Sequence, residues 1–286
     1  MPARFPLEAA FQPRRVQEQK ELETLLSGGV LSRQNVLTRY VITAKKYSPG
    51  CEVEVANTEL VGKQTTIPIP EILNHWQENG QFFKVQACKK GKPLTDALPT
   101  LAHDDIASVG REVGESLLQL RRITSPTTKT LVGCPVFDSR LGYPLEDVGA
   151  YGSYSECASD ADVADNLALA IQHVDDTTLT ALMAKMPSCE PFTFTHSDVH
   201  EGNIVVRDGK FVGLAGWGLA SYSPCWWEYV NADPLLADHF PEEMKYPKAL
   251  EWFTVYQAVL ERAWDEETQD LVMEYIASWL DLSDLS

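Results

Sequence analysis

The sequence predicts an α+β protein in two unequal parts, a smaller β-rich N-terminal part and a larger, mainly helical C-terminal part. Three observations carry this. Two runs rich in β-branched and aromatic residues, Asn35 to Tyr47 and Gly80 to Cys88, lie before residue 90. The segment Asp104 to Arg122 then places Ile106, Val109, Val113, Leu117 and Leu120 at helical spacing. Further on, Phe194-Thr-His-Ser-Asp-Val-His-Glu-Gly-Asn-Ile-Val-Val206 joins a polar loop to an apolar strand, and Lys210 opens a second apolar strand after a turn.

Taken in order, Gln17 to Leu26 sets Leu22, Leu25 and Leu26 on one stripe that Ser27-Gly-Gly29 breaks, which predicts a short leading helix. Asn35 to Tyr47 reads as a strand or hairpin arm that closes at Ser48-Pro-Gly50, with Lys45 and Lys46 at its end. Glu52 to Val61 is a helix candidate. The two prolines of Thr66-Ile-Pro-Ile-Pro-Glu-Ile-Leu73 forbid a helix and suit an extended edge segment. After the strand Gly80 to Cys88 comes a polar connector, Lys89-Lys-Gly-Lys-Pro93. The expected division is therefore an N-lobe over 1–88, a connector over 89–96 and a C-lobe over 97–286 that carries the loop 194–206.

In the C-lobe, Asp104 is the expected N-cap of a helix running to Arg122, whose Arg121-Arg122 end suits the helix dipole. Residues 123–158 are rich in Pro, Gly and Tyr without periodicity and read as a long ordered excursion of the kind that serves a binding site. Helices are expected near 160–186, 245–263 and 266–282, with the aromatic segment Pro224-Cys-Trp-Trp-Glu-Tyr229 before the last two.

Composition narrows the function classes. The 286 residues are 44% hydrophobic, enough for a sizeable core, and their net charge of -17 argues against holding nucleic acid or an anionic membrane on a general basic surface. The six cysteines, at 51, 88, 134, 157, 189 and 225, show no metal-ligand or disulfide-framework spacing and read as free thiols in a reducing cytosol. The N-terminus lacks a signal-peptide pattern and no stretch has the length of a membrane span. The expectation is a cytoplasmic protein that takes a small-molecule substrate, with no nucleic-acid or membrane partner; the sequence does not speak to its oligomeric state.

Four local patterns, in order, resemble the aminoglycoside-phosphotransferase family of the choline-kinase-like and protein-kinase-like group, most closely its fungal members. Thr195-His-Ser-Asp-Val-His-Glu-Gly-Asn203 is similar to the family's His-Gly-Asp-Leu-His-x-x-Asn, and Thr66-Ile-Pro-Ile-Pro70 to its Thr-x-Ile-Pro-Val-Pro. Val212-Gly-Leu-Ala-Gly-Trp-Gly218 is similar to Gly-Ile-Ile-Asp-Trp-Glu, and Trp226-Trp-Glu-Tyr229 to Tyr-Trp-Glu-Tyr. The resemblance spans about Asn35 to Tyr229 and implies a two-lobed, protein-kinase-like fold.

It also implies roles. Asp198 would orient a substrate hydroxyl and accept its proton, and Asn203 would ligate magnesium through its amide oxygen. His196 falls on a structural histidine, while His200 is either loop packing or a cleft-facing polar group. Glu54 falls on the helix Glu that pairs with a strand Lys. Lys46 best fits the nucleotide-phosphate lysine, with Lys45 the alternative because a one-residue shift swaps strand faces. The segment Val85 to Cys88 would offer hinge-like backbone groups to an adenine edge, and Trp217, Trp226, Trp227 and Tyr151 could shape an apolar substrate pocket.

ATP and magnesium are the cofactors the resemblance implies, but the residues themselves identify no cofactor. Gly216 stands where the family carries a metal-binding Asp, Gly218 where it carries Glu, and Ser197 where it carries Gly. Gly216 has no side-chain oxygen to give a metal, so the motif is degenerate and argues against ordinary magnesium-dependent transfer. Three functions follow: a small-molecule enzyme of secondary metabolism with Asp198 as acid/base, an ATP-dependent phosphotransferase that recruits Asp208 or Glu201 to a compensated metal site, and a catalytically dead binding module.

Overall fold

A computed structural model describes residues 35–36, 40–46, 49–87, 90–131, 156–260 and 266–280. The leading helix expected near Gln17, the residue Tyr151 and most of the 123–158 excursion lie outside the described residues, as do the side chains of Lys45 and Lys46.

The small lobe is an antiparallel sheet in the order β1-β2-β4-β3, formed by β1 (Asn35–Val36), β2 (Tyr40–Lys46), β3 (Ile72–Glu78) and β4 (Gln81–Ala87). Helix α1 (Pro49–Gln64) lies between β2 and β3 in sequence. β3 and β4 meet at Asn79-Gly80, both left-handed at φ 50° and 74°, the conformation a tight hairpin needs. β4 is paired on both sides, so its Phe82, Phe83 and Val85 are buried, and Phe82 packs on Cys51 and Val55 of α1.

Thr66 to Pro70 belongs to no helix or strand, as its two prolines require, and the edge strand begins only at Ile72. This segment ties the lobes together. Leu214 donates its N–H to the Pro68 carbonyl at 2.8 Å, and Gln119 accepts from the Thr66 N–H at 2.8 Å.

The large lobe opens with β5 (Lys92–Pro93), α2 (Leu94–Ala97) and α3 (His103–Leu117). α3 starts from Ala102 rather than Asp104, because the Asp105 carboxylate folds back to the Ala102 N–H at 3.2 Å. Nor does it reach Arg122: a 3-10 turn over Leu120–Arg122 turns Arg121 onto the Met244 carbonyl at 3.0 Å and the Tyr246 ring. Then follow β6 (Thr124–Ser125), α4 (Asp160–Ala170), α5 (Asp176–Ala184), β7 (Phe192–Thr195), β8 (Ile204–Arg207), β9 (Lys210–Leu214) and β10 (Ser221–Ser223). α6 (Trp227–Asn231), α7 (Pro234–Ala237), α8 (Pro247–Leu260) and α9 (Glu266–Trp279) complete the described chain.

Two small sheets, β10-β7-β6 and β5-β8-β9, frame the loop between β7 and β8. Below it lie two apolar cores. One gathers Val109, Val113 and Leu117 of α3 with Phe194, Ile204, Leu214 and Trp217; the other gathers Trp226, Trp227, Trp252, Phe253 and Tyr256 with Leu167 and Leu182. No helix among the described residues is long and apolar enough to cross a membrane.

Candidate active site

The loop from His196 to Asn203 hangs between the ends of β7 and β8, and a buried carboxylate fixes its entry. Glu228 accepts from the His196 N–H and, at 3.1 Å, from the Ser197 N–H. Ser197 has φ 63°, the left-handed region that a glycine adopts without a Cβ penalty. The family's glycine position thus keeps its backbone shape with a serine, and the Ser197 hydroxyl meets that of Thr195 at 2.8 Å.

His196 is fully buried and spent on structure. Its Nδ1 accepts from the Asp198 N–H at 3.2 Å and its Nε2 lies 2.7 Å from the Ala215 carbonyl, so the imidazole is neutral with the proton on Nε2. Both ring nitrogens are committed, which leaves it no capacity to shuttle a proton.

Asp198 and Asn203 face each other across this loop. The Asn203 Nδ2 donates to the Asp198 backbone carbonyl and to its Oδ2, both at 2.9 Å, which leaves the Asn203 Oδ1 as the open acceptor. Among the described residues the Asp198 Oδ1 has no hydrogen-bond partner, and the side chain is 33% exposed. The His200 Nδ1 accepts from the Gly202 N–H at 3.1 Å, so its Nε2 carries the proton and stands 3.8 Å from Asp198 Oδ2, beyond hydrogen-bond reach. The sequence-nominated trio Asp198, His200 and Asn203 is therefore brought together.

The loop also carries one member of a carboxyl pair, Glu201, whose partner is Asp233. Burial pushes the Asp233 carboxyl up, and its hydrogen bond with Glu201 adds to the rise; the same bond holds Glu201 below the usual range. Asp233 also donates its N–H to the Val199 carbonyl at 2.9 Å.

Gly216 sits at φ 83° directly against Asn203, and a Cβ there would lie 2.4 Å from the atoms of the Asn203 amide. The amide occupies the room in which a carboxylate at 216 would begin. Asp208 cannot substitute, because it sits in the turn at the far end of the β8–β9 hairpin, about 13 Å along the ladder from the Asn203 end. Glu201 is already bound to Asp233. Among the described residues no group of three or more His, Cys, Asp or Glu side chains is placed to hold a metal ion. Asp198 and the Asn203 Oδ1 are the protein donors at hand, and a magnesium ion there would draw its other oxygens from water and phosphate.

In the small lobe, the carboxylate of Glu54 on α1 pairs with Lys84 of β4, a residue that sequence reasoning passed over. The side chains of Lys46 and Lys45 on β2 lie outside the described residues, and the partner of Glu54 is Lys84 on the neighbouring strand, opposite Thr43, with its side chain 8% exposed. A lone lysine within the apolar run Phe82-Phe83-Lys84-Val85 was the available signal, since a charge buried in a central strand requires a partner. Val85 to Ala87 pair with both neighbouring strands, so the hinge-like backbone groups expected over Val85 to Cys88 are largely engaged in the sheet, and Cys88 lies outside the described residues.

The tryptophans are core residues and not pocket walls. Trp217, Trp226 and Trp227 are 1%, 0% and 0% exposed and pack into the two cores, Trp217 edge-on to the His196 ring at 4.5 Å. They build the floor under the loop and do not line an open pocket.

Solved structures with the same fold include a protein designated a fructosamine-3-kinase from Haemophilus somnus 129PT, 13% identical over 82% of this chain and 83% of that one, with a TM-score of 0.53. Aminoglycoside phosphotransferase APH(4)-Ia is 14% identical over 92% of this chain and 95% of that one, with a TM-score of 0.51. A thermostable mutant of that enzyme in a ternary complex with ADP and hygromycin B is 14% identical over 93% and 95% of the two chains, at 0.50. No curated protein matches in sequence. At such identities the likeness concerns the fold alone. Residues 32–243, well over half of the chain, match the model of the phosphotransferase enzyme family, and the chain belongs to that family.

Proposed function

We propose that the chain is a small-molecule-processing enzyme in which Asp198 is the acid/base toward a substrate hydroxyl and ordinary magnesium–ATP phosphoryl transfer is impaired at Gly216. The observation that carries this is the pairing at the loop: Asp198 keeps one carboxylate oxygen open while Asn203 holds the other, and the Gly216 turn is packed on that same amide. Asp198 is built as a positioned base, with His200 as a polar neighbour that a small movement would bring into contact. Resemblance to fungal members of the family supports a substrate drawn from secondary metabolism.

One observation favours a second reading, an ATP-dependent phosphotransferase that works with a weakened metal site. The Glu54–Lys84 pair supplies a fixed cation beneath the sheet, the charge that a nucleotide phosphate would need. A catalytically dead binding module is the third outcome.

The readings separate in one experiment. Hydroxyl-bearing small molecules are screened for conversion by mass spectrometry, with and without ATP and magnesium, using the native protein and Asp198→Asn. The first reading expects conversion that does not need magnesium and that Asp198→Asn lowers about 10²- to 10⁴-fold, the usual contribution of a general base. Robust magnesium-dependent turnover of ATP by the native protein would establish the second reading instead. Binding of nucleotide or small molecule with no conversion under any condition would leave the dead module. Gly216→Asp is not expected to restore magnesium use by itself, because its side chain would displace Asn203.

A further inference from the structure

Asn57 lies on α1, remote in sequence from the loop, and is fully buried. Its single NH₂ donates both hydrogens to one turn: to the Trp217 carbonyl at 2.8 Å and to the Ala220 carbonyl at 2.7 Å. These carbonyls bracket the 3-10 turn Trp217–Leu219 that begins immediately after Gly216. The turn in turn holds the loop. Ala215 donates its N–H to the Asn203 carbonyl at 2.8 Å and accepts from the His196 Nε2 at 2.7 Å, Gly216 abuts the Asn203 amide, and Trp217 lies against the His196 ring.

We propose that Asn57 is a positioning residue for Asp198: it fixes the turn after Gly216, the turn fixes Asn203, and Asn203 fixes the carboxylate. Three residues earlier on α1, Glu54 grips Lys84 in the sheet, and residues three apart share a helix face. One face of α1 therefore holds the small-lobe sheet with one side chain and the loop's support with another. Where α1 stands determines both the placement of the Lys84 partner and the assembly of the loop. This rests on the reading of Asp198 above only for its catalytic consequence; the clamp itself is a property of the chain without substrate.

Hydrogen exchange of the full chain tests it. In Asn57→Leu, which keeps the volume and deletes the donors, the amides of Ala215 to Ala220 and of Gly202 to Asn203 should exchange at least about tenfold faster, the effect of losing two hydrogen bonds of ordinary strength. Val255 and Tyr256 in α8 should keep their native rates. Asn57→Ser, smaller and still a donor, should fall between the native protein and Asn57→Leu, and it carries the test if Asn57→Leu does not fold. Native rates at the turn and loop in the folded variants would overturn the proposal. So would an equal acceleration in α8, which would make Asn57 a general stabiliser. If instead the local acceleration appears while Asp198→Asn leaves substrate conversion intact, the clamp stands and the acid/base reading fails.

Discussion

Trp226 and Trp227 point into an aromatic core with Trp252, Phe253 and Tyr256, whereas Glu228, the next residue along the chain, is buried against the backbone of the Asp198 loop. Within three residues the chain passes from one kind of interior to another. The aromatic core is held by area and shape, which many side chains could supply. The frame around the loop is held by directed contacts from Glu228, His196, Asn57 and Asn203, each of which fits one partner geometry. Stability and site geometry are therefore carried by adjacent but separable interiors.

The strongest way to break that separation is Trp252→Ala. Trp252 is 1% exposed, stacks on Tyr256 at a ring separation of 5.5 Å and donates to the Leu182 carbonyl at 2.9 Å. Its truncation should cost about 3–5 kcal/mol in denaturant unfolding, from lost burial and the cavity left behind. Under native conditions, exchange at Ser197 and Asn203 should rise no more than global stability requires. A selective loosening of the loop at this distance would show that the two interiors are one.

Next in size, Glu228→Ala leaves the His196 and Ser197 N–H groups buried without this acceptor and should cost about 2–4 kcal/mol. Unlike the tryptophan change, it should loosen the loop first, because the left-handed Ser197 has lost the group that holds it there. Glu228→Gln retains one acceptor oxygen and should lose less. If Glu228→Ala matched Trp252→Ala in leaving the loop undisturbed, the carboxylate would be an ordinary core group.

The same division explains what could be read in advance. The α1 helix, the strand pair about β2 and β4, the loop 194–206 and the terminal helices rest on local patterns, and local patterns are written in consecutive residues. Lys84, Asn57 and Glu228 take their meaning from partners 30, 160 and 32 positions away, which no spacing rule reaches. β3 went unread apart from the extended segment before it, because Ile72-Leu-Asn-His-Trp-Gln-Glu78 lacks clean alternation and its pairing is bulged between Ile72 and Asn74. The role of the tryptophans could not be settled from sequence, because aromatic content says that a surface is apolar without saying whether it is covered.

The smallest effect lies at the margin of the aromatic core. Asp175 caps α5, accepting from the Thr178 N–H at 2.9 Å and the Thr178 hydroxyl at 2.7 Å, and these bonds hold its carboxyl below the usual carboxylate range. α5 carries Leu182, whose carbonyl receives the Trp252 indole, so the cap steadies one wall of that core. Because the folded-state pKa is depressed, the stabilisation is complete above the unfolded value and is lost as pH falls through the folded one. Asp175→Ala should therefore cost about 0.5–1 kcal/mol at neutral pH, the lower range for an exposed cap, with the gap to the native protein closing below about pH 4. Paired denaturant curves at neutral and acid pH measure it. A gap independent of pH would mean that the side chain acts by packing and not by charge-assisted capping, and a change in loop exchange would tie even this distant cap to the Glu228 frame.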